Sequence, residues 1–256
     1  MTDGFDPIEG LLKRFQLPGP AGARVAERPQ DPVCPICAGT HWVRVEALLG
    51  DPGFGEMQPC PCWEPDPLKL RENRLLAAEI PPSLSFENFE KRPKFPAVAE
   101  ALKAALAWAY GEGPLLLVLF GHNGVGKSHL AAAAGRRVAE LGEVVLFREE
   151  MEFFEKVRQV MRDEGDAEAM LRQVCETPWL VWDDLGKTPM TPWVEGALPR
   201  IIQARWRGAV EGTKRTLLTT NVQGKQLPLD IKDRLGHKGI AKDVNMVANS
   251  YRTGER

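Results

Sequence analysis

The chain has 256 residues, 43% of them hydrophobic and 27% charged, with a formal net charge of -2. That length holds one domain with a sizeable core plus a small appendage, and the near-neutral balance excludes binding to nucleic acid through a global basic field. Its longest apolar runs, 104–110 and 115–120, are far too short to cross a bilayer, and the opening MTDGFDPIEG places acidic residues where a secretory signal has basic and then apolar ones. These features predict a cytoplasmic protein with no membrane partner.

Charge is nevertheless uneven along the chain. Residues 205–256 hold 11 Lys and Arg against 5 Asp and Glu, whereas 140–184 holds 13 acidic and 5 basic residues. The asymmetry fits a DNA-facing surface and equally fits solvated helix faces that average out in space.

Residues 1–33 contain five prolines and four glycines around one apolar pattern at helical spacing, Ile8, Leu11, Leu12 and Phe15. They are expected to form a flexible tail with a short amphipathic helix, which either docks in a partner's groove or lies on its own domain. Residues 34–63 contain four of the five cysteines. Cys34 and Cys37 form C-P-I-C, and Cys60 and Cys62 form C-P-C, with 22 residues between the pairs. Paired thiolates in a chain without a secretory signal predict a tetrahedral structural Zn²⁺ site and not disulfides. The second pair is tighter than usual, so His41 is an alternative ligand. Trp42 and Trp63 beside the cysteines either pack a miniature core or stack on bases, and packing is favoured. Residues 64–95, rich in proline, are expected to be a linker to a domain spanning 96–256.

From 97 to 110 apolar residues recur at helical spacing, and the GEG at 111–113 ends that helix. The pattern then alternates. Strands are expected at 115–120, 144–147, 179–182 and 216–219, and helices at 127–141, 151–161, 167–174 and 194–210. Such alternation predicts an α/β fold, a parallel sheet with helices on both faces. Cys175 reads as a small hydrophobe.

The string Gly121-His122-Asn123-Gly124-Val125-Gly126-Lys127-Ser128 matches G-x-x-x-x-G-K-[ST] between the apolar strand and the helix that the motif requires, with His129 next in line. Glycines let the backbone aim its N–H groups at phosphate oxygens, and the helix N-terminus adds partial positive charge. Lys127 is expected to meet the β- and γ-phosphates of ATP, and the Ser128 hydroxyl to ligate Mg²⁺. The strand at 179–182 leads into Asp183 and Asp184, a Walker B pattern. The first acid is expected to hold Mg²⁺ through water and the second to orient or deprotonate the attacking water.

The ordered blocks GHNGVGKSHLAAA, LVWDDLG, RTLLTTN, DRL and NSYR, with SFENF at 85–89, resemble the AAA+ ATPases of the DnaC/DnaI type, the bacterial and phage replicative helicase loaders, within an IstB-like ATP-binding clade. The resemblance covers 34–256. It implies a P-loop AAA+ sheet without a large helical lid, carrying a small N-terminal zinc-binding domain that grips helicase or DNA. It also implies Asn221 as the sensor 1 residue, Arg234 as an arginine finger donated to a neighbouring subunit, and Arg252 as the second sensor arginine. The implied partners are a DnaB-type replicative helicase, single-stranded DNA and further copies of the chain. The competing readings are an IstB-type transposition helper, a small-molecule P-loop kinase, and a zinc-ribbon DNA-binding module with a nucleotide switch that never turns over.

Overall fold

The computed structural model describes residues 34–36, 38, 40, 42–44, 57–62, 67–90, 92, 94–221, 233–234, 237 and 239–251. The chain divides into two compact units, Met1–Leu70 and Arg71–Arg256.

In the first unit, strands β1 (Trp42–Arg44) and β2 (Met57–Pro59) pair antiparallel, with Trp42 opposite Pro59 and Arg44 opposite Met57. The pairing brings the two ends of a long connection together. Cys60 follows β2 directly and is buried, so the hairpin delivers it beside Cys34.

A helix α1 (Pro67–Ala78) leads into the second unit, within the stretch expected to be linker. Its sequence escaped the helical pattern because its apolar positions include exposed Leu68 and Leu76, leaving no clean buried stripe. Beyond it the alternation holds: α2 (Pro96–Ala109), β3 (Leu116–Phe120), α3 (Lys127–Glu140), β4 (Val145–Glu149), α4 (Glu150–Arg162), α5 (Ala167–Glu176), β5 (Trp179–Leu185), α6 (Pro192–Val210), β6 (Arg215–Thr220) and β7 (Ala241–Asn245). Proline sits in the first turn of both α2 and α6, where its missing N–H costs nothing.

The five strands form one parallel sheet in the order β4-β5-β6-β3-β7. Successive strand side chains face opposite ways. One face, including Leu116, Val118, Leu180, Trp182 and Leu218, meets Phe153, Phe154, Val174, Leu198 and Ile201 from α4, α5 and α6. The other face is covered by α3, whose Ala131–Ala134 run lets the helix lie close. An aromatic cluster consolidates the first layer: Phe153 and Trp182 ring centroids are 5.2 Å apart, and Phe154 and Trp193 5.7 Å. Arg205, 3% exposed, clamps α6 to the sheet: its Nε donates to Thr216 Oγ1 at 2.9 Å and its guanidinium to the carbonyls of Thr177, Pro178 and Arg215.

Two consequences of this order set up the site. Strand β6 lies between β3 and β5, so Asn221, just past β6, stands between the loop after β3 and the acids of β5. Strand β5 is also longer than its sequence pattern suggests. It runs to Leu185 through a register shift, Trp182 facing Leu218 but Leu185 facing Thr220, so one extra residue is accommodated where the two acids stand.

Candidate functional site

The loop between β3 and α3 is shaped by contacts that a side chain would obstruct. A Cβ on Gly121 would lie 2.6 Å from Met246 O, and one on Gly126, whose φ is +96°, would lie 3.0 Å from Phe89 Cε2 and 3.2 Å from Tyr251 Cε2. Gly126 opens α3 without a side-chain cap, which leaves first-turn N–H groups directed at the cleft for an anion. Val125 is buried, so that position offers the ligand its backbone and not its side chain.

Lys127 is 5% exposed, and its ammonium donates to Gly121 O and His122 O at 2.9 Å each and to Asn221 Oδ1 at 2.7 Å. The lysine thus spans the mouth of the loop. Asn221 Nδ2 lies 3.4 Å from Asp184 Oδ1, linking the loop to the acids of β5.

Those acids point different ways. Asp184 has φ +59°, a left-handed backbone at the register shift, and its carboxylate faces the cleft, where Lys187 pairs with it. Asp183 is 6% exposed. Burial pushes its carboxyl above the usual range, hydrogen bonds from Thr219 and Ser128 pull the other way, and neighbouring Asp184 adds to the rise. A buried carboxylate held against its solvation by a serine hydroxyl is the donor set a hard divalent cation satisfies, so these residues fit Mg²⁺. Thr219, fully buried, ties the pair together: its hydroxyl donates to Asp183 Oδ1 and accepts the Asp184 N–H at 2.9 Å.

Of these groups Gly126, Lys127, Ser128, Asp184, Lys187 and Asn221 line a cleft of about 440 Å³ with Asn123, Gly124 and His129, and Asp183 and Thr219 stand behind it. Its remaining wall comes from two distant segments, Leu84, Asn88, Phe89 and Glu90 on one side and Tyr251 on the other. His129 Nε2 lies 2.9 Å from both Ser85 O and Asn88 Oδ1, and its ring meets Phe89 edge-on at 5.2 Å. The Tyr251 N–H donates to Gly124 O at 2.8 Å and its hydroxyl to Glu90 O at 2.6 Å, while the Arg92 guanidinium stacks 3.4 Å over the Tyr251 ring. A polar phosphate end and an aromatic far wall suit a nucleoside polyphosphate.

Every residue from Gly121 to His129, with Asp183, Asp184 and Asn221, is therefore assembled at or beside one cleft. Arg234 is not among them. It lines a different, small apolar cavity against Leu198, Ile202 and Trp206, and its Nη1 is buried with no hydrogen-bond partner among the described residues. Arg252, Cys37, His41 and Trp63 lie outside the described residues. Thr219, Lys187, Phe89 and Tyr251 were not anticipated. Thr219 was accessible by alternation, standing two residues before Asn221 on the same strand face. Phe89 and Tyr251 lay in SFENF and NSYR, strings whose contact with the loop only the tertiary fold creates.

In the first unit, the sulfurs of Cys34, Cys60 and Cys62 all lie within 4.8 Å of one another, and Cys34 and Cys60 are 3.8 Å apart. Two thiolates about 2.3 Å from a tetrahedral Zn²⁺ would themselves be about 3.8 Å apart, whereas a disulfide requires about 2.05 Å. The three sulfurs fit one zinc ion.

Fold and cleft together define an ATP-binding protein of the P-loop class. The chain belongs to the family of IstB-like ATP binding proteins, whose family model matches residues 68–256. An insertion sequence ATP-binding protein of Sinorhizobium fredii is 31% identical over 196 residues, covering 71% of this chain and 61% of that protein, so the match spans less than two thirds of the relative. Among solved structures, AMPPCP-bound DnaA from Aquifex aeolicus superposes with a TM-score of 0.53 at 17% identity, over 68% of this chain and 53% of that one. DnaI does so with a TM-score of 0.50 at 21% identity, over 64% and 90%. At these identities the likeness is one of fold. No helix among the described residues is long and apolar enough to cross a membrane.

Proposed function

We propose that the chain is a helicase loader: an ATPase that binds a DnaB-type replicative helicase and single-stranded DNA, assembles on DNA when it binds ATP, and lets go when ATP is hydrolysed. The observation that carries this reading is the cysteine cluster. It stands ahead of the segment 68–256 that the family model matches, in a module of its own, the place where the resemblance to DnaC/DnaI-type loaders implies a part that grips helicase or DNA. In this reading 1–33 is a tail, 34–63 the zinc module with Cys34, Cys37, Cys60 and Cys62 as ligands, 64–95 a connecting segment whose residues 84–90 also wall the nucleotide cleft, and 96–256 the ATPase domain.

Within the cleft, Lys127 turns from the loop carbonyls to the β- and γ-phosphates, since a phosphate oxygen outcompetes a neutral carbonyl for an ammonium. Ser128 and Asp183 hold Mg²⁺, directly and through water. Asp184 orients the attacking water, and Asn221, already bonded to Lys127 and near Asp184, registers the terminal phosphate. The nucleobase lies toward Phe89 and Tyr251. Following the resemblance, Arg234 is the finger offered to the nucleotide of a neighbouring copy, a role that requires it to leave the apolar cavity it lines in the single chain, and Arg252 is the second sensor arginine.

A second reading, a helper ATPase for transposition, is favoured by the description of the Sinorhizobium relative as an insertion sequence protein. The two separate on partner choice. The full chain, with ATP and single-stranded DNA, is mixed with the purified replicative helicase of its host and sized by light scattering. A loader forms a stoichiometric complex that dissolves on hydrolysis. Failure to bind that helicase, together with binding to a transposase, would establish the second reading in place of the first.

A further inference from the structure

The turn after β5 presents a cation that none of these roles uses. Lys187 lines the nucleotide cleft, and its ammonium donates to Asp184 Oδ2. Its placement is fixed from below. The carboxylate of Glu150, 1% exposed, accepts the N–H of Gly186 at 3.0 Å and of Thr188 at 3.2 Å, the residues on either side of Lys187, and also the Trp182 Nε1–H at 3.2 Å. The Lys187 N–H closes the turn onto Asp184 O at 3.3 Å. A buried acid that pins both neighbours of an otherwise ordinary surface lysine holds that lysine's backbone in register with the end of the sheet.

Asp184 is consequently occupied on both oxygens, Oδ1 facing Asn221 and Oδ2 facing Lys187. Lys127 meets the β- and γ-phosphates at the loop, so the group that arrives beside Asp184 is the last phosphate of a triphosphate. A diphosphate ends short of it. The terminal phosphate carries more negative charge than one carboxylate, in a cleft where most other polar groups are already paired, and it competes for the Lys187 ammonium.

We propose that Lys187 is the specificity-determining cation of this cleft: stored on Asp184 in the nucleotide-free chain, it transfers to the terminal phosphate of a nucleoside triphosphate, so that the site distinguishes triphosphate from diphosphate and frees Asp184 only when a γ-phosphate is present. The inference rests on the proposed placement of the nucleotide against Lys127 and Asp184. It makes Lys187 a contact of the bound state and a restraint of the empty one.

The test is calorimetric titration of the full chain, in Mg²⁺, with ADP and with a non-hydrolysable triphosphate analogue. Lys187→Met, Asp184→Asn and the double variant are compared with the unsubstituted chain. The Lys187 side chain is 43% exposed, so its removal does not disturb packing, and retained ADP binding shows that each variant is folded. Lys187→Met is expected to weaken the analogue about ten- to a hundredfold, the range of one charge-assisted hydrogen bond, and to leave ADP within about twofold. The loss should persist when Lys187→Met is made in the Asp184→Asn background, where an unpaired Asp184 can no longer repel the phosphate. Equal losses for the two nucleotides, no loss at all, or a loss confined to the background with Asp184 intact would overturn the proposal. If the unsubstituted chain binds neither nucleotide, the placement of the cleft itself is wrong.

Discussion

Substituting Thr219 by valine deletes one hydroxyl at the junction of the two acids and keeps the shape of the side chain, so the whole effect is polar. The hydroxyl serves Asp183 as a donor and the Asp184 N–H as an acceptor. A hydrogen bond to a charged partner contributes about 1.5–3 kcal/mol, and an N–H left without an acceptor costs about 1–3 kcal/mol when buried. Asp184 is only half-buried, and water recovers part of the second quantity. The expected loss is therefore about 3 kcal/mol, a large fraction of a domain's stability. A second effect follows from the same bond. Burial raises the Asp183 carboxyl and Thr219 opposes that rise, so valine raises it further, and the carboxylate offered to Mg²⁺ loses the hydrogen bond that orients it. Urea denaturation followed by tryptophan fluorescence reads the first effect, and Mg²⁺ titration of ATP hydrolysis reads the second as a shift to higher concentration. A Thr219→Val chain within about 0.5 kcal/mol of the original, with unchanged Mg²⁺ dependence, would refute the reasoning.

Asp183→Asn should stabilise the nucleotide-free chain at neutral pH while abolishing Mg²⁺-dependent hydrolysis. A carboxyl raised by folding binds its proton more tightly folded than unfolded, so stability falls as pH climbs from the unfolded value through the folded one, and the gain from asparagine should vanish below about pH 4. Lys127→Ala should abolish triphosphate binding, as measured by calorimetry, because it removes the ammonium that spans the loop. Freshly purified reduced protein should contain one Zn²⁺ per chain by metal analysis, and chelation should unfold 34–63 while the ATPase domain keeps its thermal transition. Arg205→Met should lower the melting temperature markedly, at a cost of about 3 kcal/mol, by stranding the carbonyls it serves; burial lowers that guanidinium only to about 10, so it remains charged at neutral pH.

The loop, its flanking strand and helix, and the acids of β5 were legible in the sequence because each is local: apolar run, glycines and lysine, or apolar run and paired carboxylates, within a dozen residues. The order of Asp183 and Asp184 already assigned the first to Mg²⁺ and the second to the attacking water, but the backbone that separates them was not legible. Two adjacent acids look alike in a string, and only the register shift against β6 turns one inward and gives the other a left-handed backbone. Strand β7 escaped for a different reason. Its buried positions, Ala241 and Val244, are three apart instead of alternating, and it pairs with β3, far away in sequence. Arg234 had a position in a motif but no way to reveal that, within one chain, it would face Trp206 and not the phosphates.

The clasp on the loop at Gly124 bears on the order in which a nascent chain completes this domain. The loop residues leave the ribosome long before Tyr251, yet the N–H that holds Gly124 O, the ring that flanks Gly126 and the hydroxyl that bonds Glu90 all belong to Tyr251. Until β7 has paired with β3 and carried that tyrosine across, the cleft lacks a wall and the segment 84–90 lacks its tether. Nucleotide capture is thus deferred until Tyr251 has emerged, since domains gain their long-range contacts only once the distant partner is available. An unfinished chain carries the complete phosphate motif and still has no finished pocket to offer ATP.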